Sequence, residues 1–368
     1  MRGGTGALVQ VQRLTFPTRH PHANGVMIPV RNVSPARLIF MTPTSTGQSL
    51  RTRLLRRGWP LLLALGALSG TSSAMELHIE ASSAQCGVHA LVPPTPPAAA
   101  RHRLPQSQAV HGQKDILWAW LGSPTARYPH AALGSPVHAA SLHVLVSGAS
   151  GAVQELVYQL PLHRVFEDRM PRLVDLDADG RDEIILVEAD ALRGAAVVVF
   201  GLRAAPQPRA ATGADSRRAL SEVARSPYAG GTFRWLNPVG VADFDGDGKP
   251  DIASVITPHV GGILTLYHFR PPRLDAYAKA MDVSNHRMGA LEQQLAVVIE
   301  RPGNRPTIVV PDMQLAALHA LRWDAPGQWT ELADFKPLPA RVERLTPLTG
   351  GGCLLLTDAS WWRVTLMH

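Results

Sequence analysis

The chain has 368 residues, of which 45% are hydrophobic, 18% charged and 6% aromatic. That is enough apolar material for one large core or two moderate ones, and it excludes global disorder. The formal net charge is +7, but residues 1–74 hold nine arginines, no lysine and no acid; removing those nine from the 36 basic residues leaves 27 against 29 acidic ones, a balance of −2 over 75–368. Without a basic stripe on the body of the chain, counterion release has no source, and nucleic acid is excluded as a partner.

The first 74 residues read as a leader. Arg51, Arg53, Arg56 and Arg57 precede the apolar run 61–68, and the small residues of 69–74 follow it. This is the order of a secretory signal peptide, and its core is far shorter than the roughly 20 residues of a spanning helix. Cleavage is expected after Ala74, giving an exported protein, periplasmic or extracellular. Met27 and Met41 lie upstream of the arginines as alternative starts, and the Arg56-Arg57 pair admits a twin-arginine route beside the general one. No stretch after residue 75 is apolar for long enough to span a membrane. Export would place Cys86 and Cys353 where disulfides persist; two is the minimum for one bridge, and the alternative is two unrelated small apolar residues.

Residues 75–104 contain an alternating strand at 76–80 and a proline-rich linker at 93–97. Over 105–368, short β-branched and apolar runs are separated by Gly, Pro, Asn and Asp, and helical periodicity is scarce, so the expected class is all-β. An internal repeat organises the runs. Residues 175–184 align without gaps on 243–252, each followed by an apolar strand, a turn and a second strand. The same spacing reaches back to Asp115 and the strand of Trp118 and Trp120. Forward, 305–308 matches 249–252, and 350–356 keeps only a strand. Five units result, two with acidic loops; six or seven blades follow if degenerate units escape the pattern. Residues 203–230, rich in Ala, Arg, Pro and Ser, are expected to be an insertion loop. Trp118 and Trp120 share one strand face by period 2, as core packing or as a sugar-stacking platform.

In the acidic loops carboxylates stand at positions 1, 3 and 5, glycine at 6 and an acid at 9: Asp175, Asp177, Asp179 and Glu183 in one, Asp243, Asp245, Asp247 and Asp251 in the other. The position-7 carbonyls of Arg181 and Lys249 add neutral oxygen. So many carboxylates repel one another without a cation, and an all-oxygen donor set suits calcium. In the first loop Asp182 stands beside Glu183, which leaves open the acid that reaches the ion. Two structural calcium ions are expected.

These loops and their strand pairs resemble the FG-GAP or VCBS repeats of exported bacterial proteins, the repeat type that also builds the integrin α-chain β-propeller. The resemblance covers roughly residues 108–368 and is specific in the two loops. It implies a propeller of four-stranded blades with calcium in its acidic loops; stacking also supplies the only cover for the apolar sheet faces. A nucleophile elbow, phosphate loop, zinc site and His-Glu-x-x-His motif are all missing, and His102, His111, His130, His138, His143 and His163 show no ligand spacing. The expected function is therefore a non-enzymatic calcium-binding propeller that engages a protein or glycan. The alternative is a propeller hydrolase or lyase with its site at the central channel. A ring needs closing, and the strand at 77–79 is expected to pair with the last unit, which would bring Cys86 near Cys353.

Overall fold

The computed structural model describes residues 75–83, 86, 94–147, 151–204, 218–325, 327–332 and 336–367. The leader, with its export signal and cleavage site, lies outside them, as do Pro93 of the linker and 205–217 of the expected insertion. The described chain is all-β, and none of its helices is long and apolar enough to cross a membrane.

After β1 (Glu76–Ser82) and a 3₁₀ turn at Ala98–His102, the strands form successive antiparallel meanders. The first holds β2 (Val110–His111), β3 (Ile116–Thr125), β4 (His138–Ser147) and β5 (Val153–Gln159). In the second, the inner edge is split into β6 (Arg164–Phe166) and β7 (Arg172–Val174), followed by β8 (Glu183–Asp190), β9 (Gly194–Ala204) and β10 (Arg218–Arg225). The third comprises β11 (Leu236–Ala242), β12 (Asp251–Ile256), β13 (Ile263–Arg270) and β14 (Arg273–Ala280). The fourth comprises β15 (Val297–Ile299), β16 (Thr307–Pro311), β17 (Ala317–Ala325) and β18 (Gln328–Glu331), with β19 (Lys336–Pro337) beside β17. The fifth contributes β20 (Val342–Leu348), β21 (Gly351–Leu356) and β22 (Trp361–Met367). Its fourth strand is β1, paired antiparallel to β22 from Glu76↔Met367 to Ser82↔Trp361.

The middle strands explain the stacking. Every residue of β8 is buried, and successive side chains of a strand point to opposite faces. Ile184 and Leu186 enter a core shared with Leu121 and Leu142 of the first meander. Ile185 and Val187 enter another, shared with Trp235 and Ile252 of the third. The pattern recurs in β16, where Ile308 and Val310 pack with Val255 and Leu266 while Val309 joins Leu345 and Leu354. Burying each such side chain contributes about 1.5–3 kcal/mol, available only when a neighbouring meander covers the face.

One expectation changes, and one alternative is decided in favour of core packing. The stretch 203–230 is not a single loop, because Arg218–Arg225 is β10, paired with β9; its mixed composition reflects a half-buried outer strand. Trp118 and Trp120 form no exposed platform. Trp120 is buried and stacked on His143, and both tryptophans pack with Ala100 of the 3₁₀ turn.

Cys86 and Cys353 are joined by a disulfide, with Cα atoms 5.8 Å apart and a separation of 267 positions in sequence. Arg363 on β22 donates from Nη2 to the Cys86 carbonyl at 2.7 Å. A bridge closing so long a loop restricts the unfolded chain by up to about 5 kcal/mol in the chain-entropy treatment. Cys353→Ser, or reduction of the wild type, is expected to lower the unfolding temperature by several degrees, as measured by thermal denaturation with and without reductant; equal temperatures would show that the β1–β22 pairing suffices alone.

Candidate functional site

The acidic loops join the first to the second strands of the second and third meanders. They close on their own backbones in matching fashion. The Asp175 carboxylate accepts from the Asp179 and Gly180 amides at 3.1 and 3.0 Å, and that of Asp243 from Gly246 and Gly248 at 2.7 and 2.9 Å. Both sixth positions are glycines in the left-handed region, Gly180 (φ 84°) and Gly248 (φ 85°). The fourth positions share that region, but one is Gly246 (φ 75°) and the other Ala178 (φ 58°).

Oxygen atoms of Asp175, Asp177 and Glu183 lie within 4.8 Å of one another, as do those of Asp243, Asp245 and Asp251, so each group could hold a metal ion. Glu183 is the acid that joins the first group; beside it, the Asp182 backbone amide is bound by Asp115 at 2.9 Å. Asp179 instead faces Arg181 in an ion pair. Asp247 caps the Lys249 amide at 2.9 Å and shares a separate group with Asp245 and His268.

The first group fits a hard cation best. Glu183 is fully buried, its Oε2 accepts from the Leu176 amide at 3.0 Å, and its Oε1 makes no hydrogen bond but lies 3.7 Å from the Arg203 guanidinium. Burial pushes its carboxyl up to about 7. Lys114 donates to Asp175 at the edge of the group. In the second group Asp251 is buried and accepts from the Tyr277 hydroxyl at 2.7 Å, and burial raises its carboxyl to about 6. His268 Nε2 sits 2.9 Å from Asp245 Oδ2, so a nitrogen stands beside the oxygen set. A pocket of about 260 Å³ separates the two loops, lined by Asp177, Asp247, Asp251 and His268 among others.

The opposite end of the strands carries a larger pocket of about 530 Å³. Its walls are Gln106 and Gln108 ahead of β2, Arg169 and Met170 between β6 and β7, Arg172 at the start of β7, Arg287 and 289–294 between β14 and β15, and Glu343 and Arg344 on β20. Three arginines are paired: Arg172 with Asp168 at 2.8 Å, Arg287 with Glu343 at 3.3 Å, and Arg344 with Glu292. Arg169 has only carbonyls, Leu133 at 2.9 Å and Pro105 at 3.4 Å, and its buried Nε has no partner. Behind this wall Glu167 is fully buried against His130, with 2.6 Å between Oε1 and Nδ1, while Trp235 Nε1 donates to its carbonyl at 3.0 Å. His259 and His286 meet at 2.9 Å alongside Trp235.

None of the pocket residues was identified from the sequence. One signal was present: the 68-residue spacing sets Glu167, Asp168 and Arg169 opposite Trp235, Leu236 and Asn237, a charged triplet where the third meander begins a buried strand. The histidines come from separate connections and share no spacing.

No family description matches the sequence, and no curated protein matches it. Among solved structures the fold is similar to the crystal structure of the rhamnogalacturonan lyase YesW, at 13% identity and a TM-score of 0.28, over 61% of this chain. The match spans half the length of that enzyme, and a likeness of this size carries no argument about activity.

Ala178 holds a conformation that costs a non-glycine residue about 1 kcal/mol. Ala178→Gly is therefore expected to leave stability unchanged or raise it by up to about 1 kcal/mol, whereas Gly246→Ala, at the equivalent fourth position, lowers it by a similar amount; denaturant titration of the two variants measures both.

Buried neutral histidines give the fold an acid sensitivity. Burial lowers His138 and His259 to about 4 and His286 to about 3. His138 lies among Tyr128, His130 and Arg169, which leave its protonated form no acid partner. The folded value is below the unfolded value of about 6.5, so stability is full above pH 6.5 and falls as the pH drops toward 4, by at most about 1.4 kcal/mol per unit for each histidine. Glu183 and Asp251, raised by burial, act in the opposite direction over part of that window. The stability difference between wild type and His138→Gln is thus expected to shift toward the variant by roughly 2 kcal/mol between pH 7 and 4.5, measured by urea unfolding at each pH.

Proposed function

We propose that the chain is an exported five-bladed β-propeller of FG-GAP/VCBS-like repeats, held by two structural calcium ions, that binds a protein or glycan partner at the end away from its acidic loops. Five four-stranded meanders, shared cores between consecutive ones and the completion of the last by β1 support the blade count. The buried Glu183 Oε1, which makes no hydrogen bond and has only the Arg203 guanidinium at 3.7 Å, supports a cation in the first loop, and the disulfide suits an oxidising compartment. The observation that carries the binding role is the pocket of about 530 Å³, whose walls come from four separate stretches of chain. Concave, preformed sites with a few convergent polar groups are where ligands bind.

A second reading, an exported hydrolase or lyase using the same pocket, is favoured by the two carboxylates Glu292 and Glu343 in its wall. Both are held in ion pairs with arginines, which suits a fixed recognition surface better than proton transfer.

The test uses the exported protein expressed with its leader. At a Kd of about 10⁻⁴–10⁻³ M, millimolar calcium is expected to stabilise it by about 0.4–1.4 kcal/mol per site over chelator. Asp245→Ala should remove the share of its own loop; identical melting curves in calcium and chelator would remove the metal assignment. Glycan and protein arrays should then return a retained, unmodified partner, whereas a partner recovered cleaved would establish the enzyme reading.

A further inference from the structure

Resting on the binding role just proposed, we propose that the pocket recognises a sugar acid, its carboxylate received by Arg169 and its hydroxyls by the surrounding amides and ion pairs. The charge requirement comes first. Arg169 is 4% exposed, and a buried cation is costly unless an anion or a full set of hydrogen bonds compensates it. Asp168 is committed to Arg172 and to the Arg169 and Val187 amides. Glu167 is committed to His130. The remaining acids of the wall, Glu292 and Glu343, are taken by Arg344 and Arg287. Asp168 and Glu167 act on the Arg169 charge from a distance, but no carboxylate oxygen hydrogen-bonds its guanidinium, whose Nη atoms have only carbonyls, so a planar, two-oxygen acceptor in the pocket would supply the missing direct partner.

The rest of the wall selects what carries that carboxylate. A hydroxyl both donates and accepts, so a ring bearing several is matched by neighbouring donors and acceptors. Each rim ion pair offers both side by side. The exposed side-chain amides of Gln106 and Gln108 offer both within one group, and the Gln108 backbone amide is held on the Arg169 carbonyl at 2.8 Å. Met170 and Leu291 supply a small apolar patch for the C–H face of a ring. Aromatic side chains are missing from the wall, so binding rests on hydrogen bonds and charge rather than stacking.

Calorimetric titration of the full exported protein with glucuronate, glucose, acetate and triglutamate separates the contributions. Glucuronate is expected to bind at least about tenfold more tightly than glucose, which lacks only the charge, and than acetate, which lacks only the hydroxyls. A glucuronate-terminated trisaccharide binding more tightly than the monomer identifies a chain end as the source; equal affinity identifies the free acid. Arg169→Lys keeps the charge but not the fork, and is expected to weaken glucuronate by about tenfold. Gln108→Ala, an exposed change that cannot unfold the protein, is expected to weaken it by about threefold. Equal binding of glucose, tighter binding of triglutamate, or no binding by glucuronate overturns the assignment. A partner found on the arrays that binds Arg169→Lys and Gln108→Ala undiminished also overturns it while leaving the binding role intact, whereas arrays that return no partner overturn that role by itself.

Discussion

Apolar side chains on both faces of a strand need cover on both sides, and one meander cannot supply it. In β8, alternate residues belong to different cores, so the second meander is stable only when sandwiched between the first and the third. The same holds at β16 between the third and the fifth. Stability in such a stack is shared between neighbours, and an outer meander needs its own means of completion. Here that means is β1, which crosses the whole length of the chain to cover the free edge of β22.

The two ends of the strands divide the chemistry. Connections from first to second strands carry the acidic loops, where backbone amides and a carboxylate network set the turn. The other end carries buried charge, and its character traces to one interruption. Between β6 and β7 the inner strand gives way at Glu167, Asp168 and Arg169, and each finds a different fate: against a histidine, against an arginine, and against carbonyls alone. The polar pocket exists because that strand breaks.

The acidic loops and their following strands were legible because carboxylate and glycine spacing is local and occurs twice in register. The all-β class was legible from short β-branched and apolar runs, and the repeat units from the 68-residue spacing of the loops. Which carboxylates converge was not. Asp179 matches the loop pattern, yet a neighbouring Arg181 captures it, a side-chain competition that spacing cannot express. β10 was hidden because a half-buried outer strand tolerates Ala, Ser and Arg in loop-like proportions. The pocket was hidden for a deeper reason: Gln108, Arg169, Glu292 and Arg344 come from four distant places, and only the stacking brings them together.

The pairing of β1 with β22 also orders events in time. Among the described strands the first to emerge hydrogen-bonds to the last, so the edge of β1 stays open until β22 has been made. Contacts at such separation pay their loop-closure entropy before they return any stabilisation, which slows the final step relative to the locally wired meanders. Throughout that interval Leu77 and Ile79 are without their core, a period in which a holding factor or a second copy of the chain competes for the same edge.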